Sequence, residues 1–127
     1  MILTPRTAAA LAFLLLGLVR YAPESVRAQQ PAGPVYVLTH IDVTPNFTEA
    51  TVNLMRSFAA DARKDPENSR FEVMRQDSRG NHLIMMEVWS SRQAYEQHTA
   101  HEHSKSFREK MQPMLGSPFD VRLHSLF

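Results

Sequence analysis

Arg70–Trp89 reads RFEVMRQDSRGNHLIMMEVW. Two apolar-rich runs flank Asp77-Ser78-Arg79-Gly80-Asn81, a cluster of turn-forming residues whose Gly80 offers a positive φ. Arg70–Gln76 alternates polar and apolar side chains, as a strand with one wet face does. His82–Trp89 is apolar on both faces, as a strand inside a sheet is. The stretch is therefore a β-hairpin whose second strand is central, and the fold depends on what stands on either side of it.

Upstream, Val35–Val43 (VYVLTHIDV) puts Val35, Val37, Thr39, Ile41 and Val43 on one face and Tyr36, Leu38, His40 and Asp42 on the other, which predicts a strand. A helix follows, started either by Thr44 with Pro45 at the first helical position or by an Asn46–Glu49 capping box. Phe47, Thr51, Leu54, Met55, Phe58 and Ala62 give its apolar stripe, and Asp65-Pro66 ends it. Downstream, Ser90 with Gln93 forms a capping box for a short helix from Ser91 to about Thr99. Another helix runs from about Ser104 to Gln112, followed by a Gly116-Ser117-Pro118 loop and a last strand, Asp120–Leu126. The order β-α-β-β-α-α-β is an α+β, ferredoxin-like split βαβ arrangement. Helices cover one sheet face. The other carries Tyr36, Leu38, Phe71 or Met74, Ile84 and Met86, more apolar surface than a lone domain leaves wet, so a second copy packed sheet to sheet is expected.

The chain has 127 residues and no Cys, which excludes a disulfide framework. Arg6, the apolar run Ala8–Val19 and Val26-Arg27-Ala28 have the layout of a secretory signal peptide over residues 1–28, with residues 29–34 a linker and 35–127 the domain. The run of twelve apolar residues spans about 18 Å as a helix, too short for a hydrocarbon core of about 30 Å. The expected location is the periplasm or outside the cell. Three of the 14 basic and one of the 13 acidic residues leave with the leader, so the remainder carries −1. That balance, with no basic cluster, argues against nucleic acid or an anionic membrane as partner.

Chemistry concentrates in Glu87–His103. Period two places Glu87 beside Met85 and Trp89 on the helix-covered face, where a carboxylate needs a partner. His98 on the covering helix is the nearest candidate, either in a structural hydrogen bond or as a base that Glu87 orients and makes more basic. His98 and His101 could share a helical face, but His103 sits about 200° from His101 at about 100° per residue. No HExxH is present, so the reading assigns no metal and leaves His101 and His103 at the rim.

Asn81–Pro118 (NHLIMMEVWSSRQAYEQHTAHEHSKSFREKMQPMLGSP) resembles the antibiotic biosynthesis monooxygenase family, which includes quinol-monooxygenase-like and haem-degrading members. Glu87-x-Trp89, Ala94-Tyr95-x-x-His98, His103 with Phe107, and the Pro113–Pro118 loop carry the likeness, which extends over about Val35–Ser125. It implies a dimeric α+β barrel, working as a homodimer on a small aromatic substrate. Trp89 and Tyr95 match the polyketide-oxidising branch directly. Arg108 matches if the turn differs by one residue, and Met85 fills a position held there by Asn. The haem-degrading branch's Asn, Trp and His positions hold Thr39, His98 and Arg108, which leaves haem a lesser alternative. The resemblance implies a cofactor-independent monooxygenase with O2 as co-substrate, in which His98 and Glu87 are catalytic and Trp89, Tyr95, Arg108, Met85 and Thr39 line the substrate site. A non-catalytic barrel binding a hydrophobic ligand or haem, and an isomerase of small carbonyl compounds, stay open beside it.

Overall fold

The computed structural model describes residues 31–127; the leader expected over 1–28 lies outside them. Strand β1 (Val35–Asp42) leads through a 3-10 turn (Pro45–Phe47) into helix α1 (Thr48–Ala62). The hairpin β2 (Asn68–Gln76) and β3 (Arg79–Trp89) follows, then α2 (Arg92–Ala100), α3 (Glu102–Met111), a second 3-10 turn (Gln112–Met114) and β4 (Asp120–His124). The four strands form one antiparallel sheet in the order β2-β3-β1-β4. This is the split βαβ order the sequence predicts, with β3 inside the sheet. Among the described residues no helix is long and apolar enough to cross a membrane.

Alternation in β1 is complete: Val35, Val37, Thr39, Ile41 and Val43 are buried and the residues between them are not. On β2, Phe71 turns toward the helices and Met74 toward the open face, because β2 is paired Phe71 to Glu87 and Met74 to Ile84. Phe58 from α1 stacks on Phe107 from α3 at 4.1 Å and 7°, and meets Phe71 edge-on at 5.7 Å. Such pairs add about 0.5–1.5 kcal/mol beyond the area they bury. With Met55, Leu83 and Met111 fully buried around them, these rings join both helical layers to the sheet. Arg63, just past α1, donates through Nε to the Phe71 carbonyl at 2.9 Å and ties the helix end to β2.

Several local expectations need correction. Neither Thr44 nor Asn46 caps α1 with its side chain, since a 3-10 turn with Pro45 at its start intervenes. Phe47 lies in that turn and is exposed, Val52 and Ala59 join the buried stripe, and Leu54 packs against the core partly buried. Gly80 has no positive φ. The hairpin closes at Gln76 and Arg79, so Asp77 and Ser78 make the turn and Gly80 already belongs to β3. The last strand stops at His124, two residues earlier than expected.

Candidate active site

Met85, Glu87 and Trp89 project from β3 toward the helices. Antiparallel pairing sets Glu87 between Val37 on β1 and Phe71 on β2, both essentially inaccessible to water. A carboxyl there loses its hydration, and burial pushes its pKa up to about 7, with one hydrogen bond pulling the other way. That bond comes from Trp89, whose Nε1–H donates to Glu87 Oε2 at 2.8 Å. Side chains two apart on a strand share a face, so the signal for this partner was present in Glu87-x-Trp89.

Helix α2 brings the imidazole. Its cap is Ser91, whose Oγ accepts the Ala94 N–H at 3.1 Å; the expected box at Ser90 and Gln93 is displaced by one residue. Ser90 instead anchors to Glu67, donating its backbone N–H to the Glu67 carbonyl at 2.9 Å and its hydroxyl to the Glu67 carboxylate. This start directs His98 inward, where it is 3 % exposed and packs on Trp89 with ring centroids 4.3 Å apart. His98 Nε2 stands 4.0 Å from Glu87 Oε2, beyond hydrogen-bond length. Burial pushes the imidazole down to about 4, reinforced by the nearby charges of His103, His101 and Arg108 and opposed by Asp65. Burial, rather than Glu87, therefore sets the basicity of His98, which lies below that of an ordinary imidazole. Around pH 6 both groups are neutral, an acid beside an uncharged imidazole rather than an ion pair.

Helix α3 closes the site. Ser104 donates its hydroxyl to the His98 carbonyl at 2.7 Å, and Arg108 donates to the Thr99 carbonyl at 2.9 Å, locking α3 onto the last turn of α2. Together they enclose a cavity of about 400 Å³ counting its open mouth. Its walls include Thr39, Met85, Glu87, Tyr95, His98 and Arg108 from the sequence-derived set. Trp89 does not reach it: fully buried, it stands behind Glu87 and His98. Phe58, Thr99, Ser104, Phe107, Phe119 and Val121 complete the lining. Phe58 and Phe107 were visible as helical stripes, whereas Phe119 and Val121 come from a loop and a short strand without a periodic signal. Burial, aided by the Glu87 charge, pushes the Tyr95 hydroxyl up to about 12, so it remains a phenol able to donate.

His101 and His103 are exposed and outside the lining, although the His103 ring lies 5.2 Å from that of His98. Among the described residues, no group of three or more His, Cys, Asp or Glu is placed to hold a metal ion.

The family model described as antibiotic biosynthesis monooxygenase matches residues 34–110. An uncharacterized protein of Synechocystis sp. is 24% identical over 119 residues, spanning 91% of this chain and 81% of its own. A solved structure described as an antibiotic biosynthesis monooxygenase is 18% identical and superposes with a TM-score of 0.69 over 73% of this chain and 98% of that one. A protein of Mycobacterium tuberculosis, 20% identical, gives 0.70 over 74% and 95%.

Proposed function

The chain belongs to the antibiotic biosynthesis monooxygenase family, and on that premise we propose that it is a cofactor-independent monooxygenase oxidising a small aromatic substrate of the quinol type with O2. One observation carries the reading. Glu87 is a desolvated carboxyl with a pKa of about 7, lining an aromatic-walled cavity beside a neutral imidazole. A general base works best when its pKa lies near the operating pH.

In the proposed reaction a quinol enters with its hydroxyls toward Tyr95, Arg108 and Thr39, and its ring against Phe58, Phe107 and Met85. Ionised Glu87 accepts a phenolic proton. His98, uncharged, positions the hydroxyl and passes the proton along. The electron-rich anion reduces O2, and a C–O bond forms to give a ring hydroperoxide. Loss of water leaves one oxygen on the ring: quinol plus O2 gives hydroxyquinone plus H2O. Trp89 holds the Glu87 carboxyl in place without touching substrate.

The test is oxygen uptake by purified, metal-free protein against a panel of quinols and polyphenols. Saturable uptake that rises through an apparent pKa near 7 is expected. Binding of the same compounds, followed by Trp89 fluorescence, without uptake would replace the oxygenase with a carrier. Proton exchange at a substrate carbon without uptake would replace it with an isomerase.

A homodimer joined through the open sheet face belongs to the same proposal. Tyr36, Leu38, Ile84 and Met86 are only half buried there and Met74 is exposed. Sedimentation at micromolar concentration should give twice the chain mass, and a monomer would overturn the dimer.

A further inference from the structure

At the end of the open sheet face beside exposed Arg79 and Ser117, past the Tyr36, Leu38 and Met86 patch proposed to meet a second copy, stands a second carboxylate–imidazole arrangement that the proposed reaction does not use. Asp42 and His82 stand directly opposite in the β1–β3 register, and His40 lies two residues before Asp42 on the same face. His82 Nδ1–H donates to Asp42 Oδ1 at 2.8 Å. The Asp42 carboxylate is also paired with Arg79 at 2.8 Å and accepts from the Ser117 hydroxyl at 3.3 Å. An ionised acceptor fixes the His82 proton on Nδ1 and leaves Nε2 with its lone pair. That nitrogen faces His40 Nδ1 at 3.3 Å.

This separation has a second reading beside that of a shared proton. Two metal–nitrogen bonds of about 2.0–2.1 Å, opened to the tetrahedral angle, put their nitrogens about 3.3 Å apart. An imidazole that ligates a metal ordinarily gives its other N–H to a carboxylate, as His82 gives Nδ1–H to Asp42. His40 and His82 sit on the two central strands, placed near each other by the β1–β3 pairing, with His82 beside an irregularity in the β2–β3 ladder. Asp120, opposite His40 in the β1–β4 register, is engaged by Arg122, so Asp42, with its partner Arg79, is the carboxylate at the pair.

We propose that His40 Nδ1 and His82 Nε2 bind one divalent transition-metal ion, with Asp42 as the carboxylate that orients His82. Binding displaces the proton between the rings, and water completes the coordination. Imidazole donors select the class of Zn²⁺, Ni²⁺ and Cu²⁺ over Mg²⁺ and Ca²⁺. With two protein ligands the ion exchanges readily, unlike one in a four-ligand structural site.

Calorimetric titration of the untagged, metal-stripped protein with ZnCl2 at pH 7.5 tests this, with MgCl2 as control. One equivalent of Zn²⁺ and no Mg²⁺ should bind. His40→Gln and His82→Gln should each abolish that equivalent, and Asp42→Asn should weaken it by about 10–100-fold. His101→Ala and His103→Ala should leave it unchanged. Circular dichroism checks that each variant is folded. Where one is not, imidazole ¹⁵N spectra of the wild type replace it, and Zn²⁺ should move the ring resonances of His40 and His82 ahead of the other histidines. Absence of zinc binding, or binding that survives both glutamine substitutions, would overturn the site.

Discussion

Strand β3 contributes one member to each of two carboxylate–imidazole pairs, Glu87 with His98 of α2 and His82 with Asp42 of β1, on opposite faces of the sheet, and they behave in opposite ways. On the helix-covered face Glu87 and His98 stand 4.0 Å apart without a hydrogen bond between them. Burial drives the acid's pKa up and the imidazole's down, so both lose their charge near pH 6. On the open face Asp42 and His82 touch at 2.8 Å, water and Arg79 are at hand, and the carboxyl is held ionised. The residue types are nearly the same. The cross-strand neighbours differ: Val37 and Phe71 around Glu87, a guanidinium and a hydroxyl around Asp42. Dehydration makes a proton acceptor that ionises near neutrality, and hydrogen bonding in reach of solvent makes a fixed anion.

The largest break in this contrast is Glu87→Gln. The amide keeps an acceptor for the Trp89 N–H but takes no proton, so turnover of a quinol should fall by about 10²–10⁴. A steady-state rate close to wild type would remove Glu87 from the role of base.

The same variant sharpens the comparison through stability. Glu87 has a raised folded-state pKa, so its contribution is full below about 4.5 and is lost as pH rises through about 7. His98 has a lowered one, so its contribution is full above about 6.5 and is lost as pH falls through about 4. Each is worth at most about 3 kcal/mol for shifts of this size. Thermal unfolding between pH 5 and 8 should show Glu87→Gln flattening the alkaline fall and His98→Gln flattening the acid one. Parallel curves for wild type and variants would mean that neither group is dehydrated.

Asp42→Asn should give the smallest effect. The pair is partly solvated, so the loss at pH 7 is at most about 1 kcal/mol. Because the folded-state pKa of Asp42 is lowered, that loss should shrink as pH falls below the ordinary carboxyl range, a trend opposite to that of Glu87. A loss several times larger would show that the open face is drier than its exposure indicates.

The sheet and its order were legible because period two in Val35–Val43 and Arg70–Trp89 is a direct image of which side meets the helices. The nearness of Glu87 and His98 was legible too, from one strand face and one helix start. Their charge states were not, because dehydration depends on Val37 and Phe71, which the sequence holds 50 and 16 positions from Glu87 and only pairing brings beside it. Trp89 illustrates the other limit. Its place beside Glu87 follows from alternation, but whether it lines the cavity or stands behind it depends on where α2 lies. Phe119 and Val121 entered the lining without warning because a loop and a five-residue strand leave no period to read.

The strand order also fixes how the chain is assembled in time. The β2–β3 hairpin closes across two residues, so it can form as soon as both strands exist, on the microsecond scale of such hairpins. Strand β1 is made before the other described strands, yet its second neighbour, β4, is the last of them. During synthesis β1 is therefore an edge, and its backbone donors and acceptors from Tyr36 to His40 lack partners until Asp120–His124 emerges. The pairing Tyr36–His124 spans nearly the whole domain, so closing that edge carries the longest loop-closure cost of the described sheet pairings.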